Sequence, residues 1–302
     1  MKRFQHIVEY SALIVFASIV RLFPLSFARF CARLLADFVF FIIPIRKKVV
    51  FKNLSDSFGS EKTTGELNKI AHNTYRQFAM TMIELIYFPK FDEAKLNKLA
   101  KIENIEIIEA ALKIGRGAVF VGAHFCNWEL MGAVVTRHYP LTFIVGEQKN
   151  ILVDNLLNSY RLKMGVKIVP LKVSLRGVAK ALKANESVAI VSDQDAHEDG
   201  VFVDFFGRPA STPKGAAVFA LRFDCPLIMG HIFRAGSAFR IKFDLVPKPD
   251  ETLPEEEQVR QYTAAYTKIL ENYIRQYPDH WFWMHKRWKT KQKGIEMATG
   301  LC

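Results

Sequence analysis

The stretch Gly117-Ala118-Val119-Phe120-Val121-Gly122-Ala123-His124-Phe125-Cys126-Asn127-Trp128-Glu129 decides how this chain is read. Ala118 to Val121 is a short apolar run held between glycines, the pattern of a strand buried on both faces. Gly122 and Ala123 carry the chain past the end of that strand to His124. In open parallel sheets, ligands bind just beyond the carboxyl ends of the strands. Asn127 is a good N-cap for the helix that follows, and Glu129 falls in its first turn, where the helix dipole favours an ionised carboxylate. An anion beside a histidine holds the imidazole in one tautomer and raises its basicity, so the expected roles are His124 as general base and Glu129 as its partner. Spacing alone does not single them out. Eight His and 30 acidic residues in 302 yield roughly 0.8 chance matches to this spacing. A capped helix with a half-buried histidine is the competing structural account.

Outward from this stretch, strand and helix patterns alternate. Strands are expected at 102–105, 141–145, 166–169, 187–191, 227–233 and 239–246. Helices are expected at 66–87, 107–114, 128–139, 150–163, 175–184, 212–223 and 255–277. The alternation predicts an α/β fold: a largely parallel central sheet flanked by helices, with the helices at 66–87 and 255–277 outside it. Asp193-Gln194-Asp195 also follows a strand-like run, and a polar cluster there is a candidate ligand site or an ordinary turn. Gly200–Gly207 carries Phe202, Phe205 and Phe206, which suit a pocket wall or buried packing nearly equally.

The first 48 residues differ from the remainder, so two units are expected: membrane-anchoring or interfacial helices over 1–48 and a catalytic domain over 49–302. Tyr10 to Val20 is uncharged but short for a clean span, which needs about 20 apolar residues. Ile7–Leu22 is expected either to span at a tilt or to lie along the bilayer. From Leu25 to Ile43, Arg29, Arg33 and Asp37 recur every four residues as one polar stripe, with Arg33 and Asp37 placed to pair. Arg46-Lys47-Lys48, after Pro44, suits a flank facing anionic lipid. A signal peptide is the rival reading of the N-terminus, but no small-x-small cleavage site follows.

Half of the chain is hydrophobic, with 25 Phe, and the net charge is +12, which calls for an anionic partner. Zinc-finger spacing and an RNA-recognition signature are both missing, so a nucleic-acid partner is not expected. Cys31, Cys126, Cys225 and Cys302 are widely separated and form neither a metal nor a disulfide framework. The C-terminal stretch joins Trp281, Trp283 and Trp288 to Lys286, Arg287, Lys289, Lys291 and Lys293, a composition that suits anionic lipid or an acidic carrier. No GxSxG elbow is present, which argues against a serine hydrolase.

Four ordered blocks carry a resemblance: Gly122–Glu129; Asn158-Ser159-Tyr160-Arg161 with Gly165; Asp193–Asp195 with Gly200–Gly207 and Ala210–Gly215; and Tyr277–Lys289. Over about 117–291 the chain resembles the lipid A biosynthesis (lauroyl/myristoyl) acyltransferases, within the H-x4-D/E glycerolipid acyltransferase superfamily. Asp279 stands where that family often has Glu. The resemblance implies a bacterial inner-membrane enzyme with its catalytic domain on the cytoplasmic face. It implies an acyl carrier protein or acyl-CoA donor, a lipid A precursor or another lipid as acceptor, direct transfer without an acyl-enzyme, and no cofactor or metal. Asn127, Arg161, Asp193, Gln194 and Asp195 are then candidate substrate-binding residues, with Arg161 a candidate contact for an oxyanion or phosphate. Transfer to another phospholipid or glycolipid, or a non-catalytic membrane-surface role, are the alternatives.

Overall fold

Continuous apolar runs such as Ala118–Val121 have no polar face to give to water, so they form central strands covered on both sides. The computed structural model describes residues 2–43 and 45–292. Met1, Pro44, Lys293 and Cys302 lie outside them. In chain order the elements are α1 (Lys2–Val20), α2 (Leu25–Ile42), α3 (Lys47–Phe58), α4 (Thr64–Ile86), α5 (Glu93–Leu99), β1 (Ala100–Ile102), α6 (Glu106–Lys113), β2 (Ala118–Gly122), α7 (Trp128–Val135) and β3 (Leu141–Val145). There follow α8 (Ile151–Lys163), β4 (Lys167–Pro170), α9 (Ser174–Lys183), β5 (Ser187–Val191), β6 (Val201–Asp204), β7 (Pro209–Thr212), α10 (Gly215–Arg222), β8 (Leu227–Ala235), β9 (Ala238–Leu245) and α11 (Glu255–Gln276).

The main sheet has seven strands in the order β1-β9-β8-β2-β5-β3-β4. β8, β2, β5, β3 and β4 run parallel, whereas β9 and β1 run the other way at one edge. The expected α/β fold with a mostly parallel sheet is therefore present. Ala118, Val119 and Val121 in β2 are buried, as the glycine-bounded run required. β2 and β5 are neighbours, with Gly122 level with Val191. That register decides the site, because the residues two positions further along each strand leave the sheet side by side.

α2 packs on α4 through Ala28, Ala32 and Ala36, small side chains one turn apart. The expected Arg33–Asp37 pair is replaced by contacts to α4. Asp37 accepts from Arg76 Nε (2.5 Å) and Nη2 (2.6 Å) and contacts His72 Nε2 (2.7 Å), while Arg33 is exposed. A planar guanidinium on the facing helix offers two charge-assisted bonds, which a neighbour on the same helix does not match. α4 begins with a capping box between Thr63 and Glu66. α3, α5 and the β6–β7 hairpin are additions to the expected elements. Among the described residues no helix is long and apolar enough to cross a membrane.

His231 in β8 is an energetic liability within this core. It is buried and stacked on Tyr273 (3.7 Å between ring centroids), and neither ring nitrogen has a hydrogen-bond partner. Burial, aided by the charge of Lys242, pushes its pKa down to about 3. The unfolded chain takes up a proton near pH 6.5 that the folded chain refuses, so stability is complete above that pH and is lost as pH falls. Between pH 7 and pH 5 this single group should remove on the order of 2 kcal/mol. Thermal denaturation of His231→Phe across that range should show a flatter acid limb than the parent. Parallel curves would contradict the assignment.

Candidate active site

His124 Nδ1 lies 2.8 Å from Asp193 Oδ1, and the His124 backbone N–H donates to Asp193 Oδ2 at 2.9 Å. The two residues follow β2 and β5 by equal steps, so the parallel register brings them together. The indole N–H of Trp281 donates to the same Oδ2 at 2.8 Å. Asp193 is almost wholly buried, whereas the His124 side chain is 27% exposed. An ionised carboxylate with three donors is well satisfied even out of water. Burial alone would push the His124 pKa down, but the charge and hydrogen bond of Asp193, with help from Glu129, raise it overall. Burial opposes ionisation of Asp193 too, yet His124 and the two N–H donors hold its pKa below the usual value. Nδ1 is thus committed to the carboxylate, which leaves Nε2 as the nitrogen available for chemistry.

The hydrogen-bonded partner of His124 is therefore Asp193 rather than Glu129. Glu129 instead forms a bidentate pair with Arg161, whose Nε lies 3.0 Å from Oε2 and Nη2 2.5 Å from Oε1. A nearby guanidinium with matching geometry takes the carboxylate, and Glu129 reaches the imidazole only through its field. Asp193 is correspondingly a ring-orienting group and not the substrate contact expected of it. Arg161 lines the cavity beside Glu129, and its Nη1 donates to Asn158 at 2.8 Å.

Two other candidate substrate contacts prove to be structural. Asn127 is fully buried; its Oδ1 caps α7 by accepting from Leu130 N (3.0 Å), and its Nδ2 donates to Glu84 (2.7 Å). Glu84 also receives Arg29 Nε and Arg234 Nη1, both at 2.6 Å, so the cap is anchored in a buried charge cluster. Asp195 accepts from Thr290 Oγ1 (2.8 Å) and Thr290 N (2.9 Å), which ties down the C-terminal segment. Gln194 is half-buried and is not among the cavity-lining residues.

The turn from β2 to α7 is held from both sides. Cys126 takes a left-handed φ of 51°; its N–H donates to His280 O (2.7 Å) and its C=O accepts from Thr81 Oγ1 (3.1 Å). Phe282 N donates to His124 O at 3.0 Å. The Cys126 thiol is buried, and burial pushes its pKa up to about 12, which makes it a poor nucleophile. Trp281, Trp283 and Trp288 are buried and do not form a membrane-facing belt. Arg287 is buried with them and donates to Ser211 O at 2.5 Å. Phe205 and Phe206 pack on these tryptophans and do not wall the cavity. An aromatic-basic composition suits a lipid surface and a cored segment equally well, and here the indoles are needed inside.

A cavity of about 480 Å³ opens beside His124. Glu129 and Arg161 line it, and its apolar walls include Phe120, Met131, Val135, Phe143, Ile190 and Phe243. These walls come from the central strands β2, β3, β5 and β9 and from α7, not from the Gly200–Gly207 segment.

The site thus joins a carboxylate-held histidine at a strand end to an apolar cavity, an arrangement with room for an apolar chain beside a nitrogen able to take a proton. The model for the bacterial lipid A biosynthesis acyltransferase family matches residues 1–290, and the chain belongs to that family. It is an O-acyltransferase. It is 25% identical over 251 residues to the lipid A biosynthesis palmitoleoyltransferase of Escherichia coli strain K12, covering 82% of this chain and 80% of that protein. It is 26% identical to the lipid A biosynthesis lauroyltransferase of the same strain, over 83% of this chain and 81% of that one. It is also 26% identical to the phosphatidylinositol mannoside acyltransferase of Mycolicibacterium smegmatis, over 68% of this chain and 67% of that protein.

Asp193 and Glu129 should separate cleanly in pH–rate profiles. With His124 as the base proposed below, the acid limb of kcat/KM reports its pKa, which the Asp193 charge and hydrogen bond raise above the usual imidazole value. Asp193→Asn should move that limb to lower pH and cost on the order of 10²–10⁴-fold in rate. Glu129→Gln should move it less, while unpairing Arg161 and lowering stability by about 3–5 kcal/mol. A larger limb shift for Glu129→Gln would reverse the assignment.

Proposed function

We propose that the chain moves a fatty acyl group from an acyl carrier protein thioester, or from acyl-CoA, to a hydroxyl of a lipid A precursor. The observation that carries this is the His124–Asp193 bond beside an apolar cavity. The acceptor hydroxyl gives its proton to His124 Nε2 as its oxygen attacks the thioester carbonyl carbon. The C–S bond then breaks, and the imidazolium returns the proton to the departing thiolate. Asp193 stays ionised and stabilises the imidazolium while it exists. Arg161 spends three N–H groups on Glu129 and Asn158, which leaves two for the developing oxyanion or an acceptor phosphate. No acyl-enzyme is needed, and the buried Cys126 thiol supports direct transfer. The apolar cavity takes the acyl chain.

We propose that the reaction takes place on the cytoplasmic face of a bacterial inner membrane, with residues 1–48 as the docking unit. α2 turns Ala28, Ala32 and Ala36 inward and leaves Phe27, Phe30, Leu34, Phe38 and Phe41 exposed. A contiguous apolar face of this kind, next to Arg46 and Lys48, supports binding along a bilayer surface. The likeness to phosphatidylinositol mannoside acyltransferases favours a second acceptor class, a glycolipid other than lipid A.

Purified chain given acyl carrier protein or CoA thioesters with each acceptor, followed by mass spectrometry, tests the proposal. The lipid A precursor should gain one acyl chain. His124→Ala should reduce turnover by at least about 10²-fold in protein that is still folded at the assay temperature, its melting temperature lowered because the buried Asp193 loses its ring partner. Full turnover by this variant would reject the mechanism. Acylation of the mannoside alone would reject the first acceptor.

A further inference from the structure

A second cleft, of about 400 Å³, lies between the start of α2 and the segment around α5, and shares no lining residue with the acyl-transfer cavity. Its walls are amphipathic. Phe23, Leu25, Tyr87, Phe91 and Leu99 supply apolar surface, and Lys90, Lys95 and Lys98 supply positive charge. Lys90 donates to Arg21 O, and Lys95 pairs with Asp92 at 3.0 Å, whereas Lys98 has no ion-pair partner among the described residues. Pro24, Leu25 and Ser26, which open the 18-residue helix α2, also line the cleft, and no side chain caps that helix. Its free backbone N–H groups and dipole therefore favour an anion.

Arg29 is the independent observation. It lines the cleft, and its side chain is only 10% exposed. Nε is spent on Glu84 and Nη1 on Ser237 O (2.7 Å), but Nη2 is buried without any hydrogen-bond partner. A buried guanidinium N–H left unpaired costs free energy that an incoming acceptor recovers. Glu84 does not neutralise this corner, because it serves Arg234 as well.

We infer that this cleft binds one phospholipid molecule with an anionic phosphate headgroup, the phosphate meeting the α2 N-terminus, Arg29 and Lys98, and the acyl chains lying on Phe23, Leu25, Phe91 and Leu99. The occupant is a lipid and not a free anion because the charged wall is continuous with apolar ones, and Phe27 and Phe30 extend that apolar surface outward along α2. The site is separate from the acyl-transfer cavity, and its occupancy does not depend on the chemistry there.

Isothermal titration of the purified full chain tests this with dihexanoyl phosphatidylglycerol below its micellar concentration, against dihexanoyl phosphatidylcholine and inorganic phosphate. One equivalent of the anionic lipid should bind, at least tenfold more tightly than either comparator. Lys98→Glu should weaken it at least fivefold. Ser237→Trp, which places an indole at an exposed position of the cleft wall, should weaken it at least tenfold. Both variants should keep the parent melting temperature. Equal affinity for the zwitterionic lipid, or indifference to both substitutions, would overturn the site. Inorganic phosphate binding as tightly as the lipid would overturn the lipid assignment. Since binding is read directly, a chain that binds the lipid but transfers no acyl group would separate this site from the catalytic proposal.

Discussion

The hydrogen bond between the Asp193 carboxylate and His124 Nδ1 is the constraint from which the rest of the site follows. It fixes which ring nitrogen is free, how basic that nitrogen is, and which way the ring faces. A carboxylate as deeply buried as Asp193 stays ionised only if it is surrounded by donors. The fold supplies them from three separate places: the His124 ring, the His124 amide and the Trp281 indole. Sheet register provides the first two at no extra cost, because β2 and β5 end level with each other.

The segment after α11 makes the third contact and does more besides. Trp281 touches Asp193, Phe125 bridges to Trp281, and His285 Nε2 accepts from Asp195 N at 3.0 Å. Thr290 closes on the Asp195 carboxylate. Residues 280–290 therefore act as a strap across the carboxyl edge of the sheet, holding both strand-end turns in place. Glu84 performs the matching task from α4, where one buried carboxylate collects Arg29 from α2, Arg234 from β8 and the cap of α7. Breaking such a cluster from either side leaves uncompensated buried charge, so the N-terminal helices and the turn from β2 to α7 are coupled in stability.

Much of this architecture was legible from local pattern. The strands Leu141–Val145 and Ser187–Val191 fall where alternation and apolar runs placed them, and His124 stands at a strand end as the sequence around Gly122 indicated. Its partner was not legible, because Asp193 is 69 residues away and strand adjacency is a global property. A sequence shows that two strands each end in a polar turn; it does not show that the strands are neighbours. Glu129, five residues along, offered a local answer that the Arg161 fork displaces. The tryptophans at 281, 283 and 288 misled for a related reason, since composition cannot tell a core strap from a membrane-facing tail. α3 was hidden by its basic start, although Val50, Leu54 and Phe58 recur at helical spacing and are buried.

The most direct test of the central claim is the tautomeric state of His124, read from long-range nitrogen–proton correlations of histidine-labelled protein above the imidazole pKa. The account predicts a neutral ring that carries its proton on Nδ1, with Nε2 unprotonated and basic. A ring protonated on Nε2, the form that free histidine favours, would mean that Asp193 does not hold it and would contradict the mechanism.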